Sequence, residues 1–110
     1  NKVRLFRLLT EHWKNHFVSN IHASPADIKD WPLMDNENDH GGQWIKRAMQ
    51  EHLFEHDGLV KLKKSHDNVH FIATAVQSTY QQGDIKGARA VLDNFQSSFE
   101  QMSNVLGQCE

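Results

Sequence analysis

Histidine carries the chemical signal in this sequence. Eight histidines occur in 110 residues, and six of them form three His-x-x-x-His pairs: His12/His16, His52/His56 and His66/His70. Residues four apart on a helix lie one above the other, so each pair can offer two imidazoles to one transition-metal ion. Spacing alone is a weak signal, because surface helices carry such pairs without binding anything. Position strengthens it. His12 follows Leu5, Leu8 and Leu9 at helical spacing, and His66 lies between Leu62 and Ala73 on an apolar stripe. An imidazole turned into a core must be neutral and hydrogen-bonded, or bound to a metal. A carbonyl partner is the ordinary solution for a single residue; several histidines converging from neighbouring helices favour a metal.

The elements that must position these side chains are helical. Val3 to Ile21 reads as a first helix. From Ala23 to Asn38 the periodicity stops, and Ser24-Pro25, Trp31-Pro32 and the Asp/Asn-rich stretch Asp35 to Asn38 mark a loop. At roughly sixteen residues it is long for a compact domain, which suggests a positioned role. A second helix runs from near Gly42 through Trp44, Ile45, Ala48, Met49, His52 and Leu53. Asp57 is a plausible N-cap for a third, which carries Leu59, Leu62, His66, Val69, His70 and Ala73 to about Tyr80. Gln82-Gly83-Asp84 supplies a terminating glycine and a new cap. The last helix places Ala88, Leu92, Phe95, Phe99, Met102 and Leu106 on one stripe. No stretch reads as a strand. The expected fold is all-α, an antiparallel four-helix bundle.

Composition narrows the function. A formal net charge of −2 without a run of lysines or arginines argues against nucleic acid and against a polybasic membrane anchor. No apolar stretch approaches the roughly 18 residues of a spanning helix, and the opening residues do not read as a signal peptide. Cys109 is the one cysteine, so no internal disulfide can form, which suits a reducing, cytoplasmic setting. The 110 residues are read as a single domain. Its start at Asn1 without a methionine, inside a helical pattern, suggests a piece of a longer protein.

With these motifs in place the sequence resembles the chemoreceptor zinc-binding (CZB) domain family. That family implies a four-helix bundle holding zinc through a histidine on the first helix, a cysteine shortly before Gly-x-Trp on the second, and His-x-x-x-His on the third. The corresponding residues are His12 in Glu11-His12-Trp13, the segment Asp39-His40-Gly41-Gly42-Gln43-Trp44-Ile45, and His66-Asp67-Asn68-Val69-His70. The 27-residue step from Asp39 to His66 fits the family spacing. The resemblance implies metal ligands His12, Asp39, His66 and His70 and a zinc cofactor. It further implies a homodimer joined to the output domain of a bacterial signalling protein, such as a chemotaxis receptor or a diguanylate cyclase.

The departure lies at Asp39, where the family has cysteine. A carboxylate is anionic like a thiolate, and its oxygens bind zinc at ~2.0–2.2 Å against ~2.3 Å for sulfur. The harder donor also admits iron, manganese, cobalt or nickel. Asp39 can equally be read as the N-cap of the second helix, with His40 the alternative fourth ligand. Without sulfur at the site, thiolate-based oxidant sensing is not expected. His16 could touch the ion or support His12, and His52 could turn inward; His22 and His56 read as solvated helix ends. Glu11, Glu51 and Glu55 could accept the second ring N–H of a ligand histidine. Trp44 should pack behind the site, and Trp31 could cap one end of the bundle or meet a partner chain.

Three other functions fit parts of the pattern. A hemerythrin-like di-iron bundle binding oxygen or nitric oxide draws ligands from all four helices, with several Glu or Asp bridging two irons, and the last helix shows no ligand on its apolar stripe. A metallohydrolase needs glutamate after the first histidine of the pair, where Asp67 and Leu53 stand instead, and no enzymatic activity is expected. A plain dimerisation bundle with surface histidines needs no metal.

Overall fold

The computed structural model describes residues 2–110. Helix α1 spans Arg4–His22, α2 His40–Gln50, α3 His56–Gln81, α4 Ile85–Ala90 and α5 Leu92–Cys109. Among the described residues there is no strand, and the helices pack as an antiparallel four-helix bundle in which α4 and α5 form the fourth arm. The long axis of 43 Å is set by α3, whose 26 residues extend ~39 Å at 1.5 Å per residue.

The fourth arm is broken where the sequence predicts one helix. Val91 (φ −100°, ψ 8°) closes α4 and opens α5. The Ala88–Leu92–Phe95 stripe stays buried across the break, so the packing is kept while the backbone ladder is interrupted. Gly83 turns the chain after α3 with φ +95°, and Asp84 caps α4 by accepting from Gly87 N–H at 2.9 Å. Both were legible in Gln82-Gly83-Asp84.

On α1 the buried face differs from the predicted one. Two stripes compete on this helix. Leu5, Leu8 and Leu9 lead to His12, whereas Val3, Phe6, Thr10, Trp13 and Phe17 recur at alternating steps of three and four. The second stripe faces the core, because burying three aromatic rings removes more apolar surface from water than burying three leucines. Trp13 stacks on Phe17 (ring centroids 5.8 Å, interplanar angle 4°), and Phe17 meets Phe95 of α5 at 4.9 Å. Leu5 and Leu8 are left 54% and 59% exposed, and His12 is exposed with them.

Loop 23–39 is pinned along its length. Its 3-10 turn Pro25–Asp27 follows the end of α1, whose last carbonyls are taken up by Arg89 (Nε to Ile21 O, 2.9 Å) and by the Tyr80 hydroxyl (to Ala23 O, 2.6 Å). Asn20 Nδ2 donates to Asp30 O at 2.8 Å and Trp13 Nε1 to Leu33 O at 2.9 Å. Pro32 is buried. Trp31 packs on Phe17 and edge-on against Tyr80, closing that end of the bundle. A loop tied at so many points holds its final residues, Met34 to Asp39, in fixed register against α3.

Candidate metal centre

The site begins with a helix cap. Asp39 has extended backbone (φ −71°, ψ 168°) and precedes α2, and its Oδ1 accepts from Gly42 N–H at 2.7 Å. Capping satisfies one of the open N–H groups at a helix start and fixes the carboxylate against α3. There it meets both histidines of the third-helix pair. Its Oδ2 lies 2.8 Å from His70 Nε2, and its Oδ1 lies 3.4 Å from His66 Nε2. The two readings of Asp39, cap and partner of the histidines, are therefore one arrangement.

All three residues are buried: Asp39 is 5% exposed, His66 2% and His70 3%. Their ligand-capable atoms lie within 4.8 Å of one another, so this buried group could hold a metal ion. Burial by itself would raise the Asp39 carboxyl. The neighbouring His66 and His70 imidazoles and the Gly42 N–H outweigh it and hold the group well below the usual carboxylate range. Asp39 is thus an anion at neutral pH.

Hydrogen-bond bookkeeping shows what the anion needs. His70 Nδ1 lies 2.8 Å from Met34 O. A carbonyl only accepts, so Nδ1 carries its hydrogen. The Nε2 atom of a neutral His70 then points a lone pair at a carboxylate, which also only accepts. That contact is favourable only when a positive charge stands there, either a proton on Nε2 or a metal ion. His66 Nε2 is a buried nitrogen without any hydrogen-bond partner, a state native structures rarely keep.

Three observations test whether a metal fits. Two donors ~2.0–2.1 Å from one tetrahedral ion stand ~3.3–3.4 Å apart; the His66–Asp39 separation of 3.4 Å matches, and His70 Nε2, 2.8 Å from Asp39 Oδ2, would draw back by about half an ångström to bind the same ion. An unpartnered His66 nitrogen is what a ligand awaiting an ion presents. Finally, a Cβ added at Gly41 would come within 2.9 Å of His66 Nε2 and 3.2 Å of Thr10 Cγ2, so glycine keeps space open beside the free nitrogen. The Met34 carbonyl behind His70 is the outer-shell acceptor that metal-bound imidazoles commonly use. It replaces the predicted Glu11, Glu51 and Glu55, all of which are exposed.

Of the four predicted ligands the structure brings together Asp39, His66 and His70. His12 stands apart, exposed on α1, on the wall of a cavity of about 250 Å3 that also reaches Asp39. The α1 residues facing the site are Phe6, Thr10 and Trp13, and the Thr10 hydroxyl donates to Phe6 O at 2.9 Å. The three-four spacing from Val3 to Phe17 is the signal that could have found them. His40 is exposed beside Asp39 and His16 pairs with Asp30 at 3.3 Å. His52 does not turn inward: α2 ends at Gln50, and His52 is exposed with φ +50°. His22 and His56 are exposed helix ends, as expected. Trp44 packs on Phe6 at 4.9 Å, and Phe6 in turn lies 6.2 Å from His66.

No protein-family profile, curated protein or solved structure matches this chain. No described helix is long and apolar enough to cross a membrane.

Proposed function

We propose that this chain is a metal-binding sensory or regulatory domain that takes up a divalent transition-metal ion, zinc foremost, through Asp39, His66 and His70. The observation that carries the reading is the buried His66 Nε2, facing an anionic carboxylate and a second imidazole. A metal-free bundle leaves that nitrogen desolvated at a penalty of about 1–3 kcal/mol; a bound ion supplies its partner. When bound, the ion adds a positive centre that neutralises Asp39 and joins the start of α2 to the middle of α3. The protein's residues do the rest. Met34 O orients His70, Gly42 N–H orients Asp39, and Gly41 leaves room beside His66.

Coupling α2 to α3 suits a module that reports occupancy through helix packing. The resemblance to chemoreceptor zinc-binding domains supports that role, with an output domain in the parent protein and a cytoplasmic setting. An assembly of two chains is part of the same proposal, and the exposed Leu5 and Leu8 of α1 supply an apolar face for it. No catalysis is included: Asp67, the carboxylate following His66, is engaged by Lys63 and Asn36. Calorimetric titration of the chain with Zn2+ tests the reading. One ion per chain, lost in Asp39→Ala, is expected; heat within the dilution blank for the unmodified chain would refute it.

A further inference from the structure

Asp39, His66 and His70 bring three possible metal donors together, and a cavity lies beside Asp39 and Gly41. Resting on the metal-binding reading above, we infer that the loaded site keeps one exchangeable position, reached through the cavity between α1, the loop and the start of α2, and that a small monoanion binds there.

Among the described residues, the ligand atoms that converge beside His66 are those of Asp39, His66 and His70. Thr10, on α1 beside this space, aims its hydroxyl back along its own helix at Phe6 O and turns its methyl, not its oxygen, toward Gly41. The α5 stripe across the core is Phe95, Phe99 and Met102. Zinc in a site with three protein ligands completes its shell with water or an exogenous ligand.

The cavity has the right inner wall. Asp39, Gly41 and Trp13 line it, and each adjoins one or both of the histidines, which stand behind this wall. Asp39 contacts both, the Cβ direction of Gly41 points at His66 Nε2, and the Trp13 ring lies 4.4 Å from that of His70. Leu9, Pro32 and Leu33 form apolar sides, and His12 and His40 stand toward solvent.

Size and charge choose the ligand. About 250 Å3 falls short of the ~300–1,000 Å3 of drug-sized sites, so the occupant has few heavy atoms. A divalent ion with one carboxylate and two neutral imidazoles carries a net charge of +1, which a monoanion cancels in a site shielded from water. The His12 and His40 ring N–H groups can donate to such an anion on its way in.

The test uses the chain loaded with Co2+, whose visible bands report coordination, titrated with sodium azide. The bands should shift and saturate at one azide per ion. His12→Ala should keep Co2+ affinity within about tenfold and keep the azide response. Leu33→Trp, which fills the cavity from its exposed side, should keep Co2+ and lose the azide response. Bands unmoved by excess azide, an azide response untouched in Leu33→Trp, or loss of Co2+ binding in His12→Ala would each overturn the inference; the last would make His12 the fourth ligand. Failure of the unmodified chain to bind Co2+ at all would remove the metal-binding reading itself, and this inference with it.

Discussion

Asp39 Oδ2 and His70 Nε2 lie 2.8 Å apart while the opposite ring nitrogen of His70 is held 2.8 Å from Met34 O. One imidazole thus bridges a carbonyl of the loop and the cap of α2, and it does so without letting go of α3. The contact joins the three segments that sequence spacing alone could not place relative to one another.

Two substitutions at Asp39 should separate its roles. Asp39→Ala removes the cap of α2 and the anion facing both histidines, for a combined loss of about 2–4 kcal/mol. Asp39→Asn keeps an oxygen to accept from Gly42 N–H and should be destabilised by about 1–2 kcal/mol less. Both should lose metal. Denaturant unfolding of the metal-free proteins, beside their zinc content, checks the pair.

His66→Leu should cost less. It exchanges an unpartnered buried nitrogen for an apolar group of similar size, a gain that offsets the lost imidazole beside the Asp39 carboxylate, so metal-free stability should stay within about 1–2 kcal/mol of the unmodified chain. Metal binding should disappear in the same variant. A larger loss of metal-free stability would mean that the nitrogen has a structural partner after all.

The adjacent glycines should respond differently to alanine. At Gly42 a Cβ would land on the backbone carbonyl of Asn36, which cannot swing aside, so Gly42→Ala should destabilise by about 1–3 kcal/mol or more. At Gly41 the obstacle is the side chain of His66. Gly41→Ala should leave folding nearly intact and weaken zinc by about tenfold or more, since the displaced imidazole no longer meets the ion. Thermal unfolding and zinc competition distinguish the two.

Acid should act in two stages. Metal binding needs its ligands deprotonated, so zinc affinity should fall as the pH is lowered. The Asp39 carboxyl is depressed in the folded protein relative to its ordinary 3.8. Its contribution to stability is therefore fully present above that value and is lost as pH falls below it. Zinc titrations from pH 5 to 8 and acid unfolding of the metal-free chain measure the two stages; affinity independent of pH over that range would contradict the first.

Much of this is legible in the sequence. His66 sits on the same apolar stripe as Leu62 and Ala73, and that stripe is where α3 buries it, because a period of 3.6 fixes the face once the neighbours are apolar. Asp39 was readable as cap or ligand, and three-dimensional contact shows the cap facing both histidines. The phase of α1 is ambiguous in the sequence because two stripes satisfy the same periodicity; only the volume offered by Phe95 and the loop chooses the aromatic one. Met34 was invisible for another reason. It acts through its carbonyl, which every residue possesses, so no residue type could announce it.

The most direct test is a crystal grown with Zn2+ and measured on both sides of the zinc absorption edge. The anomalous difference map should show one strong peak per chain, enclosed by Asp39, His66 Nε2 and His70 Nε2. An empty map at that point, or zinc found only on exposed histidines such as His52 and His56, would contradict the account.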